Sequence, residues 1–141
     1  MVFKEQCGGK SRHYQWYLVI SAALPYIPFM HTVVKVKEYI VAAARAGMTE
    51  VERIVAVDLV AANPEAGEII RGGGGVRKLR VAGRGKGKSG GYRVITYYWS
   101  AHRPVFLLTL LNKGKQANFT DAQVAALREA AKFIREGQGN G

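Results

Sequence analysis

The stretch VRKLRVAGRGKGKSGGYRVITYYW, residues 76–99, decides the fold. Residues 76–81 and 92–99 are rich in β-branched and aromatic side chains, which are typical of strands. Between them, residues 83–91 contain only glycine, arginine, lysine and serine, a composition that favours a loop. The stretch therefore predicts two antiparallel strands joined by a glycine-rich, basic loop, and residues 105–111 (VFLLTLL) predict a third strand beside them.

The sequence before this sheet predicts a strand and two helices. Residues 31–36 (HTVVKV) are predicted as a strand, and the alanine-rich residues 37–46 as a helix that ends at Gly47. Thr49 and Glu52 have the spacing of a capping box, in which both side chains satisfy backbone N–H groups at a helix start. They predict a second helix, which the Asn63-Pro64 pair ends. Its predicted core-facing residues are Val51, Ile54, Val55, Leu59 and Ala62.

A last helix is predicted after the sheet. Thr120 and Gln123 form a second capping box, and the apolar residues that follow at helical spacing are expected to face the sheet. These are Val124, Leu127, Ala131 and Ile134. The order βααβββα predicts an α+β domain: a small antiparallel sheet with an N-terminal helical hairpin and a C-terminal helix, the helices packing on one face.

Residues 1–29 are predicted to be an N-terminal extension outside this domain. Residues 14–30 (YQWYLVISAALPYIPFM) are apolar and follow basic residues, the arrangement of a signal peptide. Two prolines interrupt the run, however, and it falls short of the roughly 20 residues that a membrane helix needs. The regular strand and helix pattern begins directly after Met30, so an alternative interpretation places the native start there. We expect a domain over residues 30–136 and a flexible tail over residues 137–141.

The composition predicts a polyanionic partner and no cofactor. The formal net charge is +11, with 21 Lys and Arg against 10 Asp and Glu, and such an excess is typical of proteins that bind nucleic acid. The single cysteine, Cys7, cannot form an intrachain disulfide, which fits a reducing, cytoplasmic location. The three histidines lie far apart in sequence, so we predict no metal site.

The positive charge is concentrated around the predicted hairpin. Residues 71–93 contain eight basic residues and no acidic residue. Because strand side chains alternate between faces, Lys78 and Arg80 should share one face, and Arg93 on the next strand is placed to converge on it. The loop resembles a phosphate-binding loop in composition, but no helix is predicted after it, as that motif requires.

The order and spacing of these residues resemble the RelE/HigB-like toxins of type II toxin–antitoxin systems, in the RelE/ParE superfamily. The similarity rests on residues 74–80 (GGVRKLR) and 83–95 (GRGKGKSGGYRVI), and extends from Met30 through residues 63–67 and 113–115 to the last helix. It implies a compact α+β ribonuclease that cleaves messenger RNA in the ribosomal A site. The implied partners are the messenger, the ribosome and a cognate antitoxin, often a HigA-like helix-turn-helix protein.

The resemblance also implies roles for individual residues. The substrate's own 2′-hydroxyl attacks the adjacent phosphate, so the chemistry needs no metal, and the protein must orient the RNA and stabilise negative charge. Arg80 and Arg93 match phosphate stabilisers, Lys78 matches a proton acceptor or an additional cation, and Lys113 matches a basic residue after the last strand. The residues expected to bind RNA backbone are Arg77, Arg84, Lys86, Lys88 and Lys115. The tyrosine that some members carry after the last strand is missing, which leaves the general acid unassigned.

Two other functions fit the sequence less well. A ParE-like toxin shares the fold and inhibits DNA gyrase, but it needs no cluster of cations for a phosphate. A non-catalytic RNA- or ribosome-binding module would bind without cleavage. The four aromatic residues Tyr92, Tyr97, Tyr98 and Trp99 are interpreted as core and strand residues rather than as platforms for base stacking.

Overall fold

A computed structural model describes residues 30–83, 91–112 and 118–139. The strands are β1 (Val33–Lys35), β2 (Glu68–Ile69), β3 (Val76–Val81), β4 (Tyr92–Tyr97) and β5 (Val105–Asn112). The helices are α1 (Lys37–Arg45), α2 (Glu50–Ala62) and α3 (Asp121–Gly139). The predicted α+β class is confirmed, and β2, only two residues long, is an addition to the predicted order.

The strands form one sheet in the order β1-β5-β4-β3-β2. The three strands predicted around the basic loop pair antiparallel as expected, β3 with β4 and β4 with β5. β2 also pairs antiparallel with β3, whereas β1 lies parallel to β5 at the other edge. The sheet is therefore mixed at the β1 edge and antiparallel in the region of the predicted site.

Helices cover both faces of the sheet, so the expectation that they pack on one face was wrong. On one face α1 and α2 pack against a core that includes Val81 and Val94. On the other face α3 packs through Leu127 and Ala131 against a second core that includes Ile95. Neighbouring residues of β4 point to opposite faces, and Val94 and Ile95 are both fully buried. A central strand that is apolar on both sides needs cover on both faces.

Both predicted capping boxes are confirmed. The Thr49 backbone N–H donates to Glu52 Oε2 at 2.9 Å, and the Glu52 N–H donates to Thr49 Oγ1 at 3.2 Å. The equivalent distances between Thr120 and Gln123 are 2.9 and 3.2 Å. Gly47, after α1, has φ +72°, the left-handed conformation predicted for a helix end.

The predicted core face of α2 was wrong. Val51, Val55 and Leu59 are exposed. The side of α2 that meets the sheet is made instead of alanine and valine residues next to them in the sequence. These are Ala56, Val57, Val60 and Ala61. The two apolar stripes overlap in sequence, and the stripe with two alanines permits the closer approach to the sheet. The predicted face of α3 is confirmed, since Leu127 and Ala131 are buried and Val124 and Ile134 pack beside them.

The last helix runs further than the sequence indicated. It continues through Gly139, so residues 137–139 of the predicted tail are helical. Among the described residues, no helix combines the length and apolar character that crossing a membrane requires. Residues 1–29, 84–90, 113–117 and 140–141 lie outside the described ranges.

Candidate active site

Strand β3 places two cations on the sheet face that α3 only partly covers. Val76 is fully buried in the core beneath α3. Lys78 and Arg80 follow on the same face because side chains alternate along a strand. The Lys78 side chain is 33% exposed, and Arg80 is exposed. The face that begins as apolar core under α3 thus continues as a cationic surface beyond the helix.

The pairing of β3 with β4 brings a third cation to this surface. Arg80 lies directly opposite Arg93, and Lys78 lies opposite Ile95. Side chains opposite each other on neighbouring strands share a face, with Cβ atoms about 5 Å apart. The predicted convergence of Lys78, Arg80 and Arg93 is therefore present in the structure. Like charges in this position repel one another. Because an anion bound between them relieves that repulsion, the arrangement suits an anionic ligand.

A pocket of about 300 Å³ opens between these residues. Its described lining comprises Gly67, Glu68, Lys78, Leu79, Arg80 and Arg93. This pocket brings three guanidinium or ammonium groups together with a single carboxylate. It can hold a phosphate, because arginine presents paired N–H donors that match phosphate oxygens and lysine adds a point charge.

Glu68 is a member of this pocket that sequence reasoning missed. It lies on β2 opposite Lys78, and its Oε2 atom is 3.8 Å from Lys78 Nζ. The Glu68 side chain is 82% exposed, so the ion pair is open to solvent. A strand of two residues is too short to show the alternation of apolar and polar side chains that predicts a strand. The sequence showed only an acidic residue shortly before the basic strand β3.

Arg77 does not belong to the pocket. Its Nη1 atom donates to the backbone oxygen of Glu65 at 3.0 Å and lies 3.4 Å from that of Gly67. Residue parity places Arg77 on the face opposite Lys78 and Arg80. These contacts tie β3 to the turn that precedes β2, and therefore give Arg77 a structural role next to Glu68.

Tyr92 and Glu52 hold the start of β4, which carries Arg93, against helix α2. Both side chains are buried, at 6% and 7% exposure. Burial raises the pKa of the Tyr92 hydroxyl, and the charge of the Glu52 carboxylate and a hydrogen bond to it raise that pKa further. Tyr92 consequently remains a neutral donor, and the pair links the first turn of α2 to the residue before Arg93.

The other aromatic residues have the packing role that the sequence predicted. Tyr97 is buried, and its ring stacks on Trp99 with centroids 5.2 Å apart. Trp99 in turn stacks on Phe106 at 6.0 Å. Tyr98 meets His31 edge to face at 5.4 Å.

Several predicted site residues lie outside the described residues. They are Arg84, Lys86 and Lys88 in the glycine-rich loop, and Lys113 and Lys115 after β5. Of the described residues, the strand ends Val81, Tyr92 and Asn112 lie side by side at one end of the sheet. Within the described ranges, no group of three or more histidine, cysteine, aspartate or glutamate side chains is placed to hold a metal ion.

A protein-family model matches most of the described fold. Residues 33–139 match the family described as the RelE toxin of the RelE/RelB toxin–antitoxin system. The match runs from the first strand to the end of the last helix and includes the described residues that line the pocket. The chain therefore belongs to the RelE toxin family of toxin–antitoxin systems.

Proposed function

We propose that this toxin is an endoribonuclease that cleaves messenger RNA on the ribosome, without a metal ion, by attack of the RNA's own 2′-hydroxyl. The observation that supports this proposal is the shared pocket of Lys78, Arg80 and Arg93. A phosphodiester in transit to a cyclic phosphate gains negative charge on its non-bridging oxygens. Cations fixed in advance around those oxygens stabilise the transition state more than the substrate.

Each cation has a distinct role in this proposal. Arg80 and Arg93, opposite each other on β3 and β4, bind the scissile phosphate through paired N–H donors. Lys78, two residues before Arg80 on the same face of β3, adds a third positive charge. The sheet holds all three backbones in fixed register, so little reorganisation is needed as charge develops. Lys113 remains a predicted fourth cation near the same phosphate.

The basic loops are proposed to bind the RNA backbone around this phosphate. Arg84, Lys86 and Lys88 belong to the sequence that follows β3, and Lys115 to the sequence that follows β5, and all four are positively charged. Contacts of this kind release counterions from the nucleic acid, so affinity should fall steeply as salt rises. We also retain the prediction that Arg77 binds RNA backbone, from the face of β3 opposite the pocket.

Membership of the family implies a cognate antitoxin. We propose that this partner is a HigA-like helix-turn-helix protein and that the pair acts in the cytoplasm. The test is to co-express the toxin with the protein from the adjacent reading frame. Co-purification and restored growth are expected. An adjacent protein of another fold that neutralises the toxin would contradict the HigA-like assignment.

Growth and transcript mapping test the proposed activity together. The full chain is expressed in bacteria from a tightly repressed promoter, beside Arg93→Ala and Arg45→Ala, the latter an exposed arginine on α1. We expect growth arrest and new messenger 5′ ends within translated frames for the wild type and Arg45→Ala, and neither for Arg93→Ala. Arrest without new ends would favour a gyrase-type target, and the absence of arrest from a folded protein would favour a binding module.

A further inference from the structure

One described residue of the pocket carries a carboxylate, which can accept a proton. Glu68 is the only carboxylate among the described residues that line it. Arginine stays protonated in proteins, so Arg80 and Arg93 cannot act as bases. Lys78 forms an ion pair with Glu68 at 3.8 Å, and the ammonium form in that pair has three donors and no lone pair.

We propose that Glu68 is the general base that removes the proton from the attacking 2′-hydroxyl of the RNA. This inference rests on the proposed ribonuclease activity and assigns the proton acceptor within the same pocket. Lys78 then takes the second of its two predicted roles, as an additional cation, and lies 3.8 Å from the Glu68 carboxylate in the same pocket.

The proposed step balances without a further reagent. The Glu68 carboxylate accepts the 2′-hydroxyl proton while the 2′-oxygen bonds to phosphorus. The bond between phosphorus and the 5′-oxygen of the next nucleotide breaks, and that oxygen takes a proton from water. The products are a 2′,3′-cyclic phosphate and a 5′-hydroxyl end. Arg80 and Arg93 hold the non-bridging oxygens throughout.

The position of Glu68 suits this role. It lies on the edge strand β2, separated from Arg93 by the whole width of β3. A phosphate held between Arg80 and Arg93 therefore lies beside the Glu68 carboxylate and not in direct contact with it, which limits the repulsion between the two negative charges. The 82% exposure of Glu68 leaves its oxygens accessible to RNA that enters from solvent.

The pH dependence of cleavage distinguishes a carboxylate from a lysine base. A base that is already deprotonated at pH 6, as expected of a carboxylate, gives a rate that is level between about pH 6 and 8. A base that is still mostly protonated at pH 8, as expected of an amine, gives a rate that rises about tenfold per pH unit over that range.

The test measures single-turnover cleavage of a messenger on programmed ribosomes by the full chain, as wild type, Glu68→Gln and Glu65→Gln. Glu65 is an exposed residue of the turn that precedes β2 and is not among the residues that line the pocket, so it is a matched control for charge. Thermal unfolding and ribosome binding are measured on each variant. We expect Glu68→Gln to slow cleavage about 100-fold or more with unchanged binding and unfolding, and Glu65→Gln to match the wild type.

The outcomes separate this inference from the proposed function. Cleavage by Glu68→Gln within threefold of the wild type would overturn it, as would a wild-type rate that rises tenfold per pH unit and does so equally in Glu68→Gln. If Arg93→Ala is inactive in that same case, the ribonuclease activity stands and only the assignment of Glu68 falls. A wild type that cuts no RNA would overturn both.

Discussion

The turn that precedes β2 depends on a glycine, and Gly67→Ala should destabilise the protein strongly. Gly67 has φ +91°, a conformation that costs a residue with a Cβ atom about 1–2 kcal/mol. A Cβ there would also lie 2.9 Å from the Lys78 carbonyl carbon, and closer still to its oxygen. Relief of such crowding in packed structure costs about 1–3 kcal/mol more. We therefore expect Gly67→Ala to lower the free energy of unfolding by about 2–5 kcal/mol.

Two other glycines separate these contributions. Gly47 has φ +72° and no atom within 4 Å of an added Cβ, so Gly47→Ala should cost only the backbone strain of about 1–2 kcal/mol. Gly91 lacks a positive φ, but its added Cβ would lie 2.5 Å from the Val81 carbonyl oxygen. Gly91→Ala should therefore cost only the crowding of about 1–3 kcal/mol.

Urea unfolding monitored by circular dichroism measures all three variants, with the m-value checked for constancy. The expected order of loss places Gly67→Ala above each of the other two. Because the shift of β2 needed to accept alanine carries Glu68 away from Lys78, Gly67→Ala should also cleave RNA more slowly. A Gly67→Ala protein no less stable than Gly47→Ala would refute the close approach of this turn to β3.

Three further substitutions test residues that stabilise the fold, and distinguish a structural role from a catalytic one for Arg77. Burial raises the pKa of Tyr39 to about 12. The neutral hydroxyl therefore contributes stability that is complete below pH 10 and is lost as the pH rises toward 12. Between pH 10 and 12, the free energy of unfolding in urea should fall by about 2–3 kcal/mol less for Tyr39→Phe than for the wild type. Thr49→Ala removes the acceptor for the Glu52 N–H and should cost about 1 kcal/mol in the same assay, with near-zero loss as the contrary result. Arg77→Ala should lower the melting temperature while leaving cleavage well above that of Arg80→Ala, and equal inactivity with unchanged stability would place Arg77 among the catalytic groups.

The local features of the fold could be predicted from the sequence because their causes are local. The helix starts at Thr49 and Thr120 follow from side chains that bond backbone three residues away. The shared face of Lys78 and Arg80 follows from strand alternation. Pairing with Arg93 was also accessible, since two strands joined by one loop are expected to lie side by side.

The features that were missed depend on distant parts of the chain. Which stripe of α2 meets the sheet depends on the shape of the sheet beneath it, and Val55 is exposed although its spacing suits a core position. The adjacent apolar residues Val94 and Ile95 in β4 were a sign in the sequence that both faces are covered. Glu68 reaches the site only because β2 pairs with β3, an interaction of two residues that carries no periodic signal.

The decisive measurement is cleavage of a messenger on programmed ribosomes by the purified full chain, comparing Arg93→Ala with the wild type and with Arg45→Ala. We expect wild-type products that end in a 2′,3′-cyclic phosphate, a rate at least about 100-fold lower for Arg93→Ala, and a rate within threefold of the wild type for Arg45→Ala. If Arg93→Ala cleaves as fast as the wild type, the cationic pocket on β3 and β4 is not where the phosphate reacts.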